Sequence, residues 1–161
     1  MAGHDRITPQ GKKFYAEIEK LKRLQVRVGF QDDGTMAAKR TDDGVTDADV
    51  SLLDVAMWNE LGTANSPSRP FLRQSVDDNA SKISSFCRAQ LKRVAQGSAD
   101  AQDILKKIGV MQKGLVQEKI ANGSFEANAP ATVKKKGSDK PLIDTGRMRQ
   151  SVSYIVRRKG G

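Results

Sequence analysis

Histidine and cysteine occur once each in these 161 residues, and aromatic side chains make up only 5% of them. His4 lies in residues 1–7, a segment expected to be disordered, so the usual acid-base and nucleophile arrangements have no imidazole at their centre. Cys87 has no partner for a disulfide within the chain, which fits a reducing compartment such as a bacterial cytoplasm. Its neighbours Ile83, Phe86 and Leu91 fall at helical spacing, so it reads as a small core residue rather than a nucleophile. Without a Cys and His cluster there is no zinc pattern, and neither a phosphate loop nor a dinucleotide glycine pattern occurs. A carboxylate-only site would draw on Asp54, Glu60 and Asp144, which show no recognisable spacing. No run approaches the ~18 apolar residues of a membrane span, and residues 1–8 lack the apolar centre of a signal peptide. The expectation is a protein without catalytic residues, cofactor, metal, small-molecule substrate or membrane partner.

What is present in excess is positive charge. Lysine and arginine number 28 against 19 acids, for a net charge of +9 and an isoelectric point near 9.8. Such a balance favours encounter with negatively charged partners. Hydrophobic residues are 37% of the chain, enough for one domain with an aliphatic core, and a thin core gains from burial against neighbouring subunits.

Thr8 and Pro9 form an N-cap and first helical residue for a helix to about Arg23, with Phe14, Ile18 and Leu21 on one face. Residues 24–30 then alternate as a half-buried strand. Residues 31–48 lack periodicity and contain Asp32-Asp33-Gly34 and Asp42-Asp43-Gly44, so they read as a long loop with two turns; the paired aspartates do not match a calcium loop. Asp49 or Asp47 can cap a helix with the stripe Leu52, Leu53, Val55, Ala56, ending at Gly62. Trp58, near its end, fits either the core or an interface anchor.

After a short loop, Pro70 suits the start of a long helix over residues 70–96, expected to be the longest element, whose stripe runs from Leu72 to Val94. A further helix extends from Ser98 to Asn122-Gly123. Gly109 and Gly114 inside it suggest close packing or a kink. Residues 124–140 form a second long loop, with Lys134, Lys135 and Lys136 in its middle. Thr145 can cap a short helical turn, and residues 151–158 alternate as a terminal strand. Pairing that strand with residues 24–30 yields a small antiparallel sheet packed on three to four helices, an α+β fold in a single domain. A lone hairpin is marginal, so further strands from the loops or a neighbouring subunit are expected to complete the sheet.

Two segments are more distinctive than the rest. One is Trp58-Asn59-Glu60-Leu61-Gly62-Thr63 leading to Arg69-Pro70-Phe71-Leu72; the other is Asp144-Thr145-Gly146-Arg147-Met148-Arg149-Gln150-Ser151. In that order they resemble the neck and tail-completion minor virion proteins of long-tailed bacteriophages, which join head to tail. The resemblance implies a structural subunit of a homo-oligomeric ring that contacts neighbouring neck, connector or tail proteins. It also implies assembly in the bacterial cytoplasm and residence in the virion. Residues expected at ring contacts are Trp58, Glu60, Arg69, Phe71, Asp144 and Arg147. Arg69 has two readings: it tacks the loop to the preceding helix, or it reaches a carboxylate such as Glu60 across subunits. The insertion at residues 35–49 departs from the pattern. The alternative is a small basic nucleic-acid-binding protein, with Lys134, Lys135, Lys136, Arg157 and Arg158 facing packaged DNA or an acidic partner. Against it stands the absence of a stacking surface or a helix-turn-helix signature.

Overall fold

A computed structural model describes residues 6–41, 43–126 and 146–160. In chain order the elements are α1 (Pro9–Arg23), β1 (Leu24–Gly29), β2 (Met36–Thr41), β3 (Gly44–Ser51), α2 (Leu52–Leu61), α3 (Phe71–Asp77), α4 (Ala80–Ala95), α5 (Ala101–Asn122), α6 (Arg147–Gln150) and β4 (Ser153–Arg158). The architecture is α+β, as expected, and the residues expected to pair do so. β1 and β4 run antiparallel in the register Leu24↔Arg158 to Gly29↔Ser153. Thr8 caps α1, its hydroxyl accepting from the Gly11 amide at 3.1 Å, with Pro9 in the first turn.

Alternation puts Leu24, Val26 and Val28 on the same face as Tyr154 and Val156, and α5 packs against both strands. Gly109 permits the approach. A Cβ there would fall 2.4 Å from Tyr154 Cδ2 and 3.0 Å from Val26 Cγ2, so the tyrosine ring rests on bare helix backbone. Gly114 stands in open space, and nothing in the structure explains it.

Three expectations are corrected. Residues 31–48 are not a loop throughout: β2 and β3 form a hairpin in them, reversing between Thr41 and Gly44. This pair is a separate two-stranded sheet and does not extend β1–β4. Its composition hid it, since Lys39, Arg40, Asp47 and Asp49 interrupt any apolar alternation in the sequence. Residues 70–96 are not one helix either. Helix α3 stops at Asp77 and α4 begins at Ala80, because Asp77-Asp78-Asn79 disfavours helix interiors and the Asn79 side chain donates to the Ser75 carbonyl at 3.0 Å. The longest helix is α5, with 22 residues. Finally, the α2 cap is Ser51 and not Asp47 or Asp49, which lie within β3: the Ser51 hydroxyl accepts from the Asp54 amide at 3.1 Å.

The core is mainly aliphatic, with Phe71 in it and Phe30 and Phe125 packed against it. Phe71, Val116, Ile120 and Val152 are fully enclosed, with Leu52, Ala56, Ala37 and Met148 around them. Phe30 meets Phe71 edge-on, with ring centroids 6.0 Å apart.

Candidate functional site

The corner between α2 and α3 holds most of the residues singled out in the sequence. Gly62 ends α2 at φ 79°, its amide donating to the Trp58 carbonyl at 2.8 Å. A side chain there would collide with the Ser68 backbone, 2.8 Å from where a Cβ would lie, so the tight return of the loop requires glycine. Ser68 donates its hydroxyl hydrogen to the Glu60 carbonyl at 2.7 Å, and the Arg69 amide donates to the Asn59 carbonyl. The loop is thereby pinned along the last turn of α2.

Helix α3 has no side-chain cap of its own, because Pro70 occupies the cap position. Glu60 supplies one from α2. Its two carboxylate oxygens accept from the Leu72 amide at 2.8 Å and the Arg73 amide at 3.0 Å, where the positive end of the helix dipole favours an anion. Glu60 is therefore committed within the chain. Arg69 is 8% exposed; its Nε donates to the Glu126 carbonyl at 3.0 Å and an Nη to the Asn59 side chain at 3.4 Å. Of its two readings, the structure favours the one in which it tacks the loop to the preceding helix. Phe71, expected at a contact, is instead wholly enclosed in the core at 0% exposure, which removes it from the candidate contact residues.

Helix α2 presents a different character outward. Leu52 and Ala56 face the core, while Met57, Trp58 and Leu61 stand 49%, 45% and 72% exposed. The core reading of Trp58 is thus overturned. Positions 57, 58 and 61 fall on one helix face, giving an apolar strip beside the pinned corner.

The second distinctive segment enters the description at Gly146; Asp144, Thr145, Lys134, Lys135 and Lys136 lie outside the described residues. Gly146 adopts φ 75° ahead of α6, a conformation that accounts for glycine at this position. Arg147 donates to the Met36 carbonyl at 3.0 Å, Met148 and Val152 enter the core, and Gln117 donates to the Arg149 carbonyl at 3.0 Å. These contacts deliver β4 to β1.

At the other end of that strand pair a cleft of about 810 Å³ opens, lined by Lys20, Lys22, Arg23, Arg158 and Lys159, with Glu17 and Asp100 as its acids. The Lys159 amide donates to the Arg23 carbonyl at 2.9 Å, which brings the last residue of α1 beside the end of β4. Arg157 does not line it, since neighbouring strand residues face opposite ways. Its Nε is buried and without a hydrogen-bond partner among the described residues. Only Arg158 of that expected pair belongs to this surface.

Glu17 is buried at the base of the cleft. One of its carboxylate oxygens accepts from Lys20 Nζ at 2.6 Å and the other from the Ala101 amide at 2.8 Å. These bonds, Lys20 foremost, hold its pKa below the usual glutamate value. Asp100 caps α5, accepting from the Asp103 amide at 2.9 Å. Sequence reasoning passed over Glu17, though it singled out Arg158 among the cations around it. The trace was there: Glu17 sits within the apolar stripe Phe14, Ile18, Leu21, where a carboxylate needs a buried partner.

No group of three or more metal-ligating side chains comes together among the described residues, and no helix among them is long and apolar enough to cross a membrane. Comparison with protein families, with curated proteins and with solved structures returned no match.

Proposed function

We propose that the chain is a structural subunit of a tailed-bacteriophage virion, forming a ring in the neck or tail-completion region and performing no covalent chemistry. The observation that carries the reading, beside the two sequence segments, is the outer face of α2. A helix apolar on both sides belongs between two packed layers, and among the described residues no second layer covers Met57, Trp58 and Leu61. Met57, Trp58 and Leu61 are exposed beside a corner whose own polar groups are satisfied within the chain, so the strip is held rigidly and costs little ordering on association. Its occupant in this reading is a second copy. The two-stranded sheets agree with it, since sheets of that size are marginal alone and gain from strands or surfaces supplied by a neighbour.

A net charge of +9 repels identical copies, so apolar assembly of this kind strengthens as salt screens that repulsion. Light scattering on the purified chain tests the point: mass should rise toward a closed oligomer between low and high salt, and a Trp58→Ser, Leu61→Ser variant should remain monomeric with an unchanged melting temperature. A chain that stays monomeric at every salt concentration would remove self-assembly. Gold-labelled chain on phage particles, viewed by negative-stain electron microscopy, tests the location. Label at the head-tail junction is expected, and its absence from all particles overturns the virion reading.

A further inference from the structure

The ring reading makes no use of the cleft between the end of α1 and the end of β4. Three cations there, Arg23, Arg158 and Lys159, are exposed and take part in no ion pair among the described residues. Lys20 and Lys22 differ, being paired with Glu17 and Glu19 on their own helix. Basic residues in the last turn of α1 complement the negative end of the helix dipole, which accounts for Lys20, Lys22 and Arg23 alone. It does not account for Arg158 and Lys159, which arrive from β4 and are set beside Arg23 by the Lys159-to-Arg23 backbone bond. Bringing like charges together costs energy unless an anion lies between them. Of the nearby carboxylates, Glu17 is held by Lys20 and the Ala101 amide, Asp100 caps α5, and Glu19 pairs with Lys22 while lying within electrostatic reach of Arg23; none forms an ion pair with the three cations among the described residues.

The walls identify the anion. Among the described residues, Leu24 is the one apolar side chain lining the cleft, and no aromatic ring lines it. The methylene stems of the lysines and arginines supply much of the wall, but the cleft has no aromatic anchor of the kind protein contacts are built around. Interfaces with nucleic acid are polar and strongly positive. Without a ring to stack on a base, such a surface reads the backbone and not the sequence. We infer that Arg23, Arg158 and Lys159 form a sequence-independent binding site for the phosphate backbone of nucleic acid.

The test is fluorescence anisotropy with a labelled 20-base-pair DNA duplex across a salt series. With about three phosphates neutralised, the logarithm of the association constant should fall with the logarithm of salt at a slope of about −3. The Arg23→Gln, Arg158→Gln, Lys159→Gln variant should bind at least about tenfold more weakly at low salt, with its slope flattened to near zero. These changes leave the backbone bond between residues 159 and 23 intact. The same charge removed from α4 (Lys82→Gln, Arg88→Gln, Lys92→Gln) should weaken binding less than about threefold. On the unmodified protein, bound duplex should protect Lys159 from acetylation while Lys82 stays reactive. Equal losses in both variants, or no protection of Lys159, overturn the site, and so does competition by polyglutamate as effective as that by unlabelled duplex. Because salt opposes this binding and promotes self-assembly, failure of the site and failure of the ring reading give different results.

Discussion

Charged side chains do opposite things in two regions of this molecule. At the α2–α3 corner Glu60 and Arg69 are turned onto the chain itself, one receiving two amides of α3 and the other donating to Asn59 and Glu126. At the cleft the side chains of Arg23, Arg158 and Lys159 are exposed and form no ion pair among the described residues. Sequence prominence alone therefore does not decide which side chains are left available: Glu60 and Arg69 build the rigid corner, whereas Trp58 and Leu61 of the same motif stand exposed beside it.

The comparison breaks most readily at Arg69. Replacing it with alanine removes the hydrogen bonds of a buried guanidinium to Glu126 and Asn59, at a cost of about 2–3 kcal/mol. Chemical denaturation should show this as a lower midpoint in the monomer, and Arg69→Lys should recover little, because a single ammonium cannot reproduce the guanidinium fork. An unchanged midpoint would return Arg69 to the class of surface contacts. Next in size is Glu60→Ala, which frees two amides at the start of α3 and should cost about 1–2 kcal/mol by the same measurement.

Acid should act on the other region. The folded-state pKa of Glu17 is depressed, so its contribution is fully present above the unfolded-state value and is lost as pH falls through the folded one. Thermal melts at falling pH should show this loss below the ordinary glutamate range, and Glu17→Gln should blunt that part of the pH dependence. Smallest of all is the effect of Arg158→Gln with Lys159→Gln, which should shift stability by no more than about 0.5 kcal/mol. A large destabilisation would mean that the cleft cations serve the fold after all.

Much of the architecture was legible because individual residues carry local instructions. Thr8-Pro9 starts α1, strict alternation marks β1 and β4, and Gly62 and Gly97 close α2 and α4 with positive φ. The β2–β3 hairpin was not legible, since Lys39, Arg40, Asp47 and Asp49 interrupt any apolar alternation. The break between α3 and α4 was masked by Val76, Ala80 and Ile83, whose helical spacing runs through it. Ser51-Leu52-Leu53-Asp54 was a readable capping signature, passed over in favour of the earlier aspartates. At the corner the motif was visible but its logic was not: nothing in a linear string says that Glu60 reaches the amides at positions 72 and 73. The cleft required the β1–β4 register, which alternation alone leaves undetermined.

That register also bears on the order in which the molecule can take shape. Gln25 donates to the Arg158 carbonyl across 133 residues of sequence, and the ring of Tyr154 fills the notch that Gly109 leaves in α5. On a ribosome β1 would emerge early and remain an unpaired edge while the helices collapse beside it. Pairing of this separation is slow and keeps sticky strands exposed. The fold is thus closed by a strand that follows all of its helices in the chain, and a chain halted anywhere before Ser153 would leave both the strand edge and the helix notch open to whatever reached them first.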